Sequence, residues 1–376
     1  MTFKAVIGQQ QTINLLRNLV DDDRLPHATL LHGPQGCGKL SLVLATVQYL
    51  FCDDRQDGDS CGVCTNCSKV SKLIHPDIHF SFPFITTKES KVSDQYLGDW
   101  RNALLTNPYI DVNDWLEQIG AANKQGNITK DECLNIIKKL SLKAFQNKFK
   151  ICIIWLPEYL GKEGNRLLKL IEEPPADTFF FLVTENTQQI LNTILSRCQV
   201  VKANPLSEEE IKNALVDNKE LDKDKAEVLS FIANGNYNQA LALAENIEND
   251  NAALFLEWMR KVYKGNGVHM VAWVDKIAGI GRENQKYFIQ YALHFLRELM
   301  VIKMTGSDKV RLSQDDYQTA LKLAKIIEFH HIDQITKLLN EVGYAVLRNA
   351  NPKILFLDAS IQMNAILKNK RKLAAV

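Results

Sequence analysis

Long apolar runs, a signal-like leader, a surplus of either charge, low-complexity stretches and defensible internal repeats are all missing from this sequence. Each absence removes a class of function. No apolar run in the 376 residues approaches the roughly 20 residues of a membrane-spanning helix. The start, Met1-Thr2-Phe3-Lys4, has none of the apolar character of a secretory signal, so a cytoplasmic chain is expected. Lysine and arginine number 45 against 44 aspartates and glutamates, a net charge of +1. A protein that grips duplex DNA mainly by neutralising phosphates carries a clear basic excess. Any DNA contact is therefore expected to be local or shared with partners. The hydrophobic share of 46% and charged share of 24% are those of a globular chain. Its length exceeds what one core holds, and two or three domains are expected.

What is present divides at Asn204-Pro205. Residues 1–205 alternate strand-like runs, rich in β-branched and aromatic residues, with helical patterns. The strand candidates are Ala28–His32, Asp77–Phe82, Phe149–Leu156, Thr178–Thr184 and Gln199–Lys202. Between them Thr129–Leu140, Gly164–Glu173 and Thr187–Ser196 read as helices. Such alternation predicts an α/β domain with a parallel sheet covered on both faces. Residues 83–128, polar but carrying Trp100 and Trp115, do not fit the alternation and read as an insertion of unassigned role. Ser207 followed by Glu208-Glu209-Glu210 is a helix-start signal. From there to Val376 the periodicity is helical throughout, with turns at Gly235 and Gly265–Gly267 and a polar linker at Glu248–Asn251. The expected domains are 1–205, then a small helical domain over 206–248, then a larger all-helical domain over 249–376.

Gly33-Pro34-Gln35-Gly36-Cys37-Gly38-Lys39 follows a strand and precedes a helix. In that setting small residues let backbone N–H groups curl round a phosphate, the helix N-terminus adds positive dipole, and Lys39 reaches the terminal phosphates. The next position needs a Ser or Thr hydroxyl for Mg²⁺. Here it is Leu40, and Ser41 comes one residue late, about 100° round the helix. Ile153-Ile154-Trp155-Leu156 then runs into Pro157-Glu158, which keeps a glutamate that can polarise water but lacks the metal-binding aspartate. With two magnesium positions lost, efficient ATP hydrolysis by this chain is not expected; ATP or ADP binding without turnover is compatible with the loop.

Cys52, Cys61, Cys64 and Cys67 form C-x₈-C-x₂-C-x₂-C, with Gly58 and Gly62 between them. Four thiolates on a tight knuckle satisfy tetrahedral Zn²⁺ and leave no open position, so a structural and non-catalytic zinc is expected. Cys37, Cys133, Cys152 and Cys198 are ungrouped, and His27, His32, His75 and His79 lack ligand spacing; all are expected to be structural.

Taken in order, these features resemble the AAA+ clamp-loader family of bacterial DNA polymerase III, and within it the delta-prime pattern. The resemblance runs through Phe3, Ile7-Gly8-Gln9, Leu25-Pro26-His27-Ala28, the phosphate loop and the cysteine module. It is strongest at Asn165–Pro175, followed by the sensor-like strand Phe179–Thr184 and by Leu195-Ser196-Arg197-Cys198. It implies an AAA+ phosphate-loop domain, a helical lid and a helical collar. It also implies that Ile7-Gly8-Gln9 lies on the adenine side of a nucleotide site containing Gly33, Gly36, Gly38, Lys39, Glu158 and Thr184. Arg197 of the S-R-C motif would point into a neighbouring subunit's ATP site. Family ATPases carry a lid arginine after a glycine; Gly235-Asn236-Tyr237-Asn238 offers Asn238 instead. The implied partners are gamma/tau and delta subunits, with the sliding clamp and primer–template DNA reached through the complex. Phe288, Tyr291, Leu293, Phe295, Leu296 and Leu299 fit a collar interface and an ordinary core equally well. Two other readings stay open, an ATP-hydrolysing motor subunit or other AAA+ ATPase, and a module whose phosphate loop is vestigial. A zinc-finger DNA binder is disfavoured by the lack of interleaved basic and aromatic residues around the cysteines.

Overall fold

The computed structural model describes residues 1–87, 90–121, 124–245, 251–306 and 310–368. Five parallel strands, β1 (Ala28–His32), β2 (Ile78–Ser81), β3 (Lys150–Trp155), β4 (Thr178–Thr184) and β5 (Gln199–Lys202), form one sheet in the order β2-β3-β4-β1-β5. Successive strand side chains point to opposite faces. Ile151, Ile153, Trp155, Phe181 and Val183 accordingly enter one apolar core, while Cys152, Ile154, Phe180 and Leu182 enter another. Burial on both faces explains why these strands read as unbroken apolar runs.

The first core is closed by α1 (Gln10–Asp21) and by α2 (Lys39–Phe51), all 13 residues of which are buried. The short α3 (Thr65–Ser71) is capped by Cys64 and carries Cys67, the last two cysteines of the module. The 83–128 segment is part of this core rather than an appendage. Its ends pair through Phe84 and Asn127, and it contributes α4 (Leu97–Thr106) and α5 (Val112–Gln118). Trp100 and Trp115 are fully buried, with Trp100 stacked on Phe82 at 4.3 Å and 5.0 Å from both Trp115 and Trp155. The second core is covered by α6 (Lys130–Ser141), α7 (Leu168–Glu172) and α8 (Asn192–Leu195).

Several elements are shorter than their patterns suggest. Asp77 lies just outside β2, its carboxylate accepting the backbone N–H groups of Phe145, Gln146 and Asn147 at 2.5, 2.8 and 2.8 Å. Leu156 ends β3 by turning left-handed at φ 57°. In place of one helix from Gly164 there is a 3₁₀ run over Pro157–Leu167, broken at Gly161, before α7. Pro174 then stops α7, since the residue before a proline avoids helical geometry. Over 187–196 a 3₁₀ turn and α8 are separated by extended Ile190 and Leu191, which lets Ile190 and Ile194 both reach the core.

Beyond the sheet every described element is helical: α9 (Glu208–Lys219), α10 (Lys223–Ala233), α11 (Tyr237–Glu245), α12 (Asn251–Lys264), α13 (Gly267–Gly279), α14 (Arg282–Thr305), α15 (Gln314–Ala324), α16 (Phe329–Leu347) and α17 (Pro352–Lys368). Ser207 and Glu210 form a reciprocal cap on α9, each accepting the other's backbone N–H, at 3.2 and 2.7 Å. Most of the polar linker expected at 248–251 lies outside the described residues. By compactness the chain falls into two units, Met1–Ala214 with Asn234–Gln239, and Leu215–Ala233 with Ala240–Val376. The second has its own core around Trp258 and Trp273, stacked at 4.7 Å with an interplanar angle of 1°. Phe288, Tyr291, Phe295, Leu296 and Leu299 are buried within it, with Leu293 packed at its margin. They are core, not exposed interface.

Trp100→Ala should remove this aromatic cluster's centre and cost about 3–5 kcal/mol, read as a lowered urea midpoint for the first unit's transition followed by near-ultraviolet circular dichroism.

Candidate functional site

A sheet covered on both faces leaves its carboxyl edge as the place where loops can meet a ligand. The register does the rest. His32 pairs with Thr184 and Trp155 with Val183, so the loops leaving β1, β3 and β4 emerge side by side. Gly33–Lys39, Glu158 and Thr184 are thereby brought to one edge.

The phosphate loop keeps its geometry. Gly36 and Gly38 have φ of +63° and +90°, a region open to glycine at no steric cost. A Cβ on Gly36 would sit 1.8 Å from Asn236 Oδ1. Lys39, only 6% exposed, donates to the Pro34 carbonyl oxygen at 2.5 Å. The ammonium thus folds back over its own loop. Leu40 is buried. Ser41 Oγ faces the Pro108 carbonyl at 3.5 Å, on the side of the 83–128 segment.

The acidic side holds more charge than the sequence reveals. Glu158 Oε1 accepts the Glu185 N–H at 3.1 Å, with the Thr184 hydroxyl beside it, while its buried Oε2 has no hydrogen-bond partner. Burial pushes the Glu158 carboxyl above its ordinary range, against the pull of those donors. Glu185, which sequence reasoning missed, is likewise raised by burial; Lys39 and the Gln35 side chain oppose this, and Glu158 and Asp111 add to it. Carboxyl groups gathered at Glu185, with Lys39 as the cation acting on it, make a poor field for a polyphosphate that arrives without magnesium.

The 83–128 segment supplies residues that no motif marks. Tyr109, 6% exposed, accepts the Ile7 N–H at 2.9 Å through its hydroxyl oxygen. Its ring meets Tyr237 edge-on at 5.0 Å, and a Cβ on Gly38 would stand 2.9 Å from its Cε1. Burial pushes the Tyr109 phenol up to about 12. Asn238 is held by two members of the same segment, accepting from Asn107 at 2.5 Å and donating to Asp114 at 2.6 Å. Tyr237 N–H reaches the Gly36 carbonyl at 3.0 Å.

Elsewhere in the same unit, the sulfurs of Cys52, Cys61, Cys64 and Cys67 lie within 4.8 Å of one another. Cys61 and Cys67 Sγ are 3.9 Å apart, close to the roughly 3.8 Å edge of a tetrahedron with 2.3 Å metal–sulfur bonds. The N–H groups of Cys61, Cys64 and Cys67 point at the sulfurs of Cys52, Cys61 and Cys64 at 3.2, 3.4 and 3.4 Å, as suits thiolate ligands. This cluster can hold a metal ion. Cys37, Cys133 and Cys152 are buried and Cys198 half-buried, all outside it. His75 packs edge-on against Phe51 at 4.7 Å. Burial lowers His79 to about 4.

Arg197 stands apart from this chain's phosphate loop. Its side chain is 31% exposed, with Nε 3.1 Å from Glu172 Oε2 but without hydrogen-bond alignment. One terminal nitrogen donates to the Thr193 carbonyl at 2.9 Å.

With this geometry in place, comparison with known proteins gives a consistent result. The family model described as DNA polymerase III, delta subunit, matches residues 8–207, more than half of the 376. The chain belongs to that family. It is a clamp-loader subunit of DNA polymerase III by its relatives as well. The delta' subunit of Bacillus subtilis is 25% identical over 315 residues, covering 83% of this chain and 82% of its own. A gamma subunit from Buchnera aphidicola (subspecies Schizaphis graminum) is 26% identical over 326 residues, covering 80% and 78%. The tau subunit of Salmonella typhimurium is 24% identical over 343 residues, with 83% of this chain but 46% of its own length covered. A solved gamma subunit-related protein from Thermotoga maritima aligns over 95% of this chain and all of its own, at 14% identity and a TM-score of 0.43. No described helix of this clamp-loader subunit is long and apolar enough to cross a membrane.

The raised Glu158 carboxyl predicts a pH effect of definite sign. A buried acid that prefers its neutral form destabilises the fold once ionised. Stability is therefore lost as pH rises above the unfolded carboxyl range and through the higher folded value. Glu158→Gln keeps the acceptor for Glu185 N–H and removes the charge. It should raise the melting temperature at pH 7.5 by about 2–4 °C per kcal/mol gained, with the gain fading near pH 4; calorimetry across that range checks it.

Proposed function

We propose that this clamp-loader subunit is of the delta-prime type, a member that gives an arginine to a neighbour's ATP site and does not fire its own. Leu40, buried where a magnesium-binding hydroxyl is needed, carries that reading. The missing aspartate before Glu158 and the replacement of a lid arginine by Asn238 support it. Gly33, Gly36, Gly38, Lys39, Glu158 and Thr184 are then the remnant of a nucleotide site. The domains are an AAA+ unit over 1–205, a lid over 206–248 and a collar over 249–376. The setting is a cytoplasmic heteropentamer with gamma/tau and delta partners, which meets the sliding clamp and primer–template DNA in replication.

Arg197 is the working group. Its guanidinium would neutralise charge developing on the phosphoryl group transferred in the adjacent subunit, a contribution of about 10³–10⁵ in rate. The resting pair with Glu172 does not oppose this, because an exposed ion pair is worth about 0–1 kcal/mol, against about 4–7 kcal/mol for that rate effect. Cys52, Cys61, Cys64 and Cys67 would hold one Zn²⁺, which ties the α2 end to α3 as a cross-link and takes no part in chemistry.

Reconstituted with its partners, Arg197→Ala should lower clamp- and DNA-stimulated ATPase by about 10³-fold or more while the pentamer still elutes intact. An unchanged rate removes Arg197 from the mechanism. Native mass spectrometry of the isolated chain should find one Zn²⁺, lost in Cys61→Ser. The gamma and tau relatives favour a second reading, a motor subunit, under which the isolated chain would hydrolyse ATP; the delta-prime reading expects no turnover.

A further inference from the structure

Tyr109 touches the phosphate loop and two segments that frame it, and its neighbours in the same segment touch one more and hold Asn238 beside Tyr237. The ring meets Gly38 of the loop, the N-terminal segment at Ile7, and Tyr237. Pro108 meets Ser41 at the start of α2, and Asn107 and Asp114 hold Asn238. A flat aromatic ring, walled by another aromatic and by glycine backbone, with an acceptor oxygen facing a backbone N–H, makes the contacts that a purine would make in such a site. With a ring carbon 2.9 Å from where a Gly38 Cβ would lie, no space remains at that face for a second planar ring. The phosphate side agrees: Lys39 is spent on the Pro34 carbonyl, and Gly36 is covered by Asn236 and Tyr237.

We propose that residues 107–114 are a built-in occupant of the nucleotide site. Tyr109 fills the base-binding space, and Asn107 with Asp114 fastens Asn238, so that the 236–238 segment is held against the phosphate loop without nucleotide. This rests on the reading of that loop as a nucleotide-site remnant. It makes the subunit closed to adenine nucleotides by construction, beyond being unable to hydrolyse them. The role left unassigned to the 83–128 segment becomes that of an internal ligand.

The test titrates the isolated full-length chain with a fluorescent ADP analogue in the presence of Mg²⁺. Wild type and Tyr109→Phe, which keeps the ring, should show no binding below about 1 mM; Tyr109→Ala should bind at least about tenfold more tightly. Micromolar binding by wild type overturns the proposal, as does a folded, circular-dichroism-normal Tyr109→Ala with unchanged affinity. Should Tyr109→Ala fail to fold, hydrogen exchange on wild type decides. Millimolar ADP should leave residues 33–41 unchanged, and new protection there overturns the idea. Because no partner subunit is present, this result is separate from the Arg197 experiment, and either can fail alone.

Discussion

β3 and β4 bury side chains on both faces, and the whole site follows from that constraint. A sheet so covered offers no face to a ligand, so every loop that does chemistry must leave from an edge. The pairing of His32 with Thr184 and Trp155 with Val183 levels three strand ends, and Lys39, Glu158 and Glu185 become neighbours as a consequence. Lys39 is held within its own loop, whereas Glu158 is bonded by the N–H of Glu185 from the next strand's loop. The period-2 division of Phe180 and Phe181 between two cores positions them as firmly as any hydrogen bond.

Within that edge the charges gather around Lys39, Glu158 and Glu185. An ATP site spends lysine and magnesium on a triphosphate; here the lysine is satisfied by a backbone carbonyl and the carboxylates have no metal-binding hydroxyl opposite them. Burial then presses Glu158 and Glu185 toward their neutral forms, which costs less than holding three charges together. Arg197 lies elsewhere, just past the short α8, half-buried, paired with Glu172 and donating to the Thr193 carbonyl.

Much of this was legible in the amino-acid order because its signals are local. The five strands are runs of β-branched and aromatic residues; the phosphate loop is seven consecutive residues; the cysteine spacing encodes a knuckle. Local patterns fail where structure depends on distant partners. Tyr109 is significant only because Ile7, 102 residues away, turns its N–H toward it. Asn107 is significant only because Asn238, 131 residues away, meets it. Glu185 follows a strand without any motif, and its importance comes from the register with β3. The helix read over Gly164–Glu173 is helical in the structure, but its first turn is 3₁₀ up to Leu167 and only Leu168–Glu172 is α. The same 3₁₀ run reaches back to Pro157, across a break at Gly161 with φ 49°.

The cysteine module has a reach that its size does not suggest. Asp59, between the first and second sulfurs in sequence, is buried and accepts the N–H groups of Phe3 and Lys4 at 3.0 and 2.9 Å. Phe3 in turn lies on Tyr49 at 5.4 Å. The amino-terminal turn that leads to Ile7 is thus hooked onto the knuckle through one carboxylate. Oxidative injury to the sulfurs would loosen that hook and slacken the amino-terminal segment whose Ile7 N–H meets Tyr109, so a lesion at the cysteine knuckle would be felt at the phosphate edge.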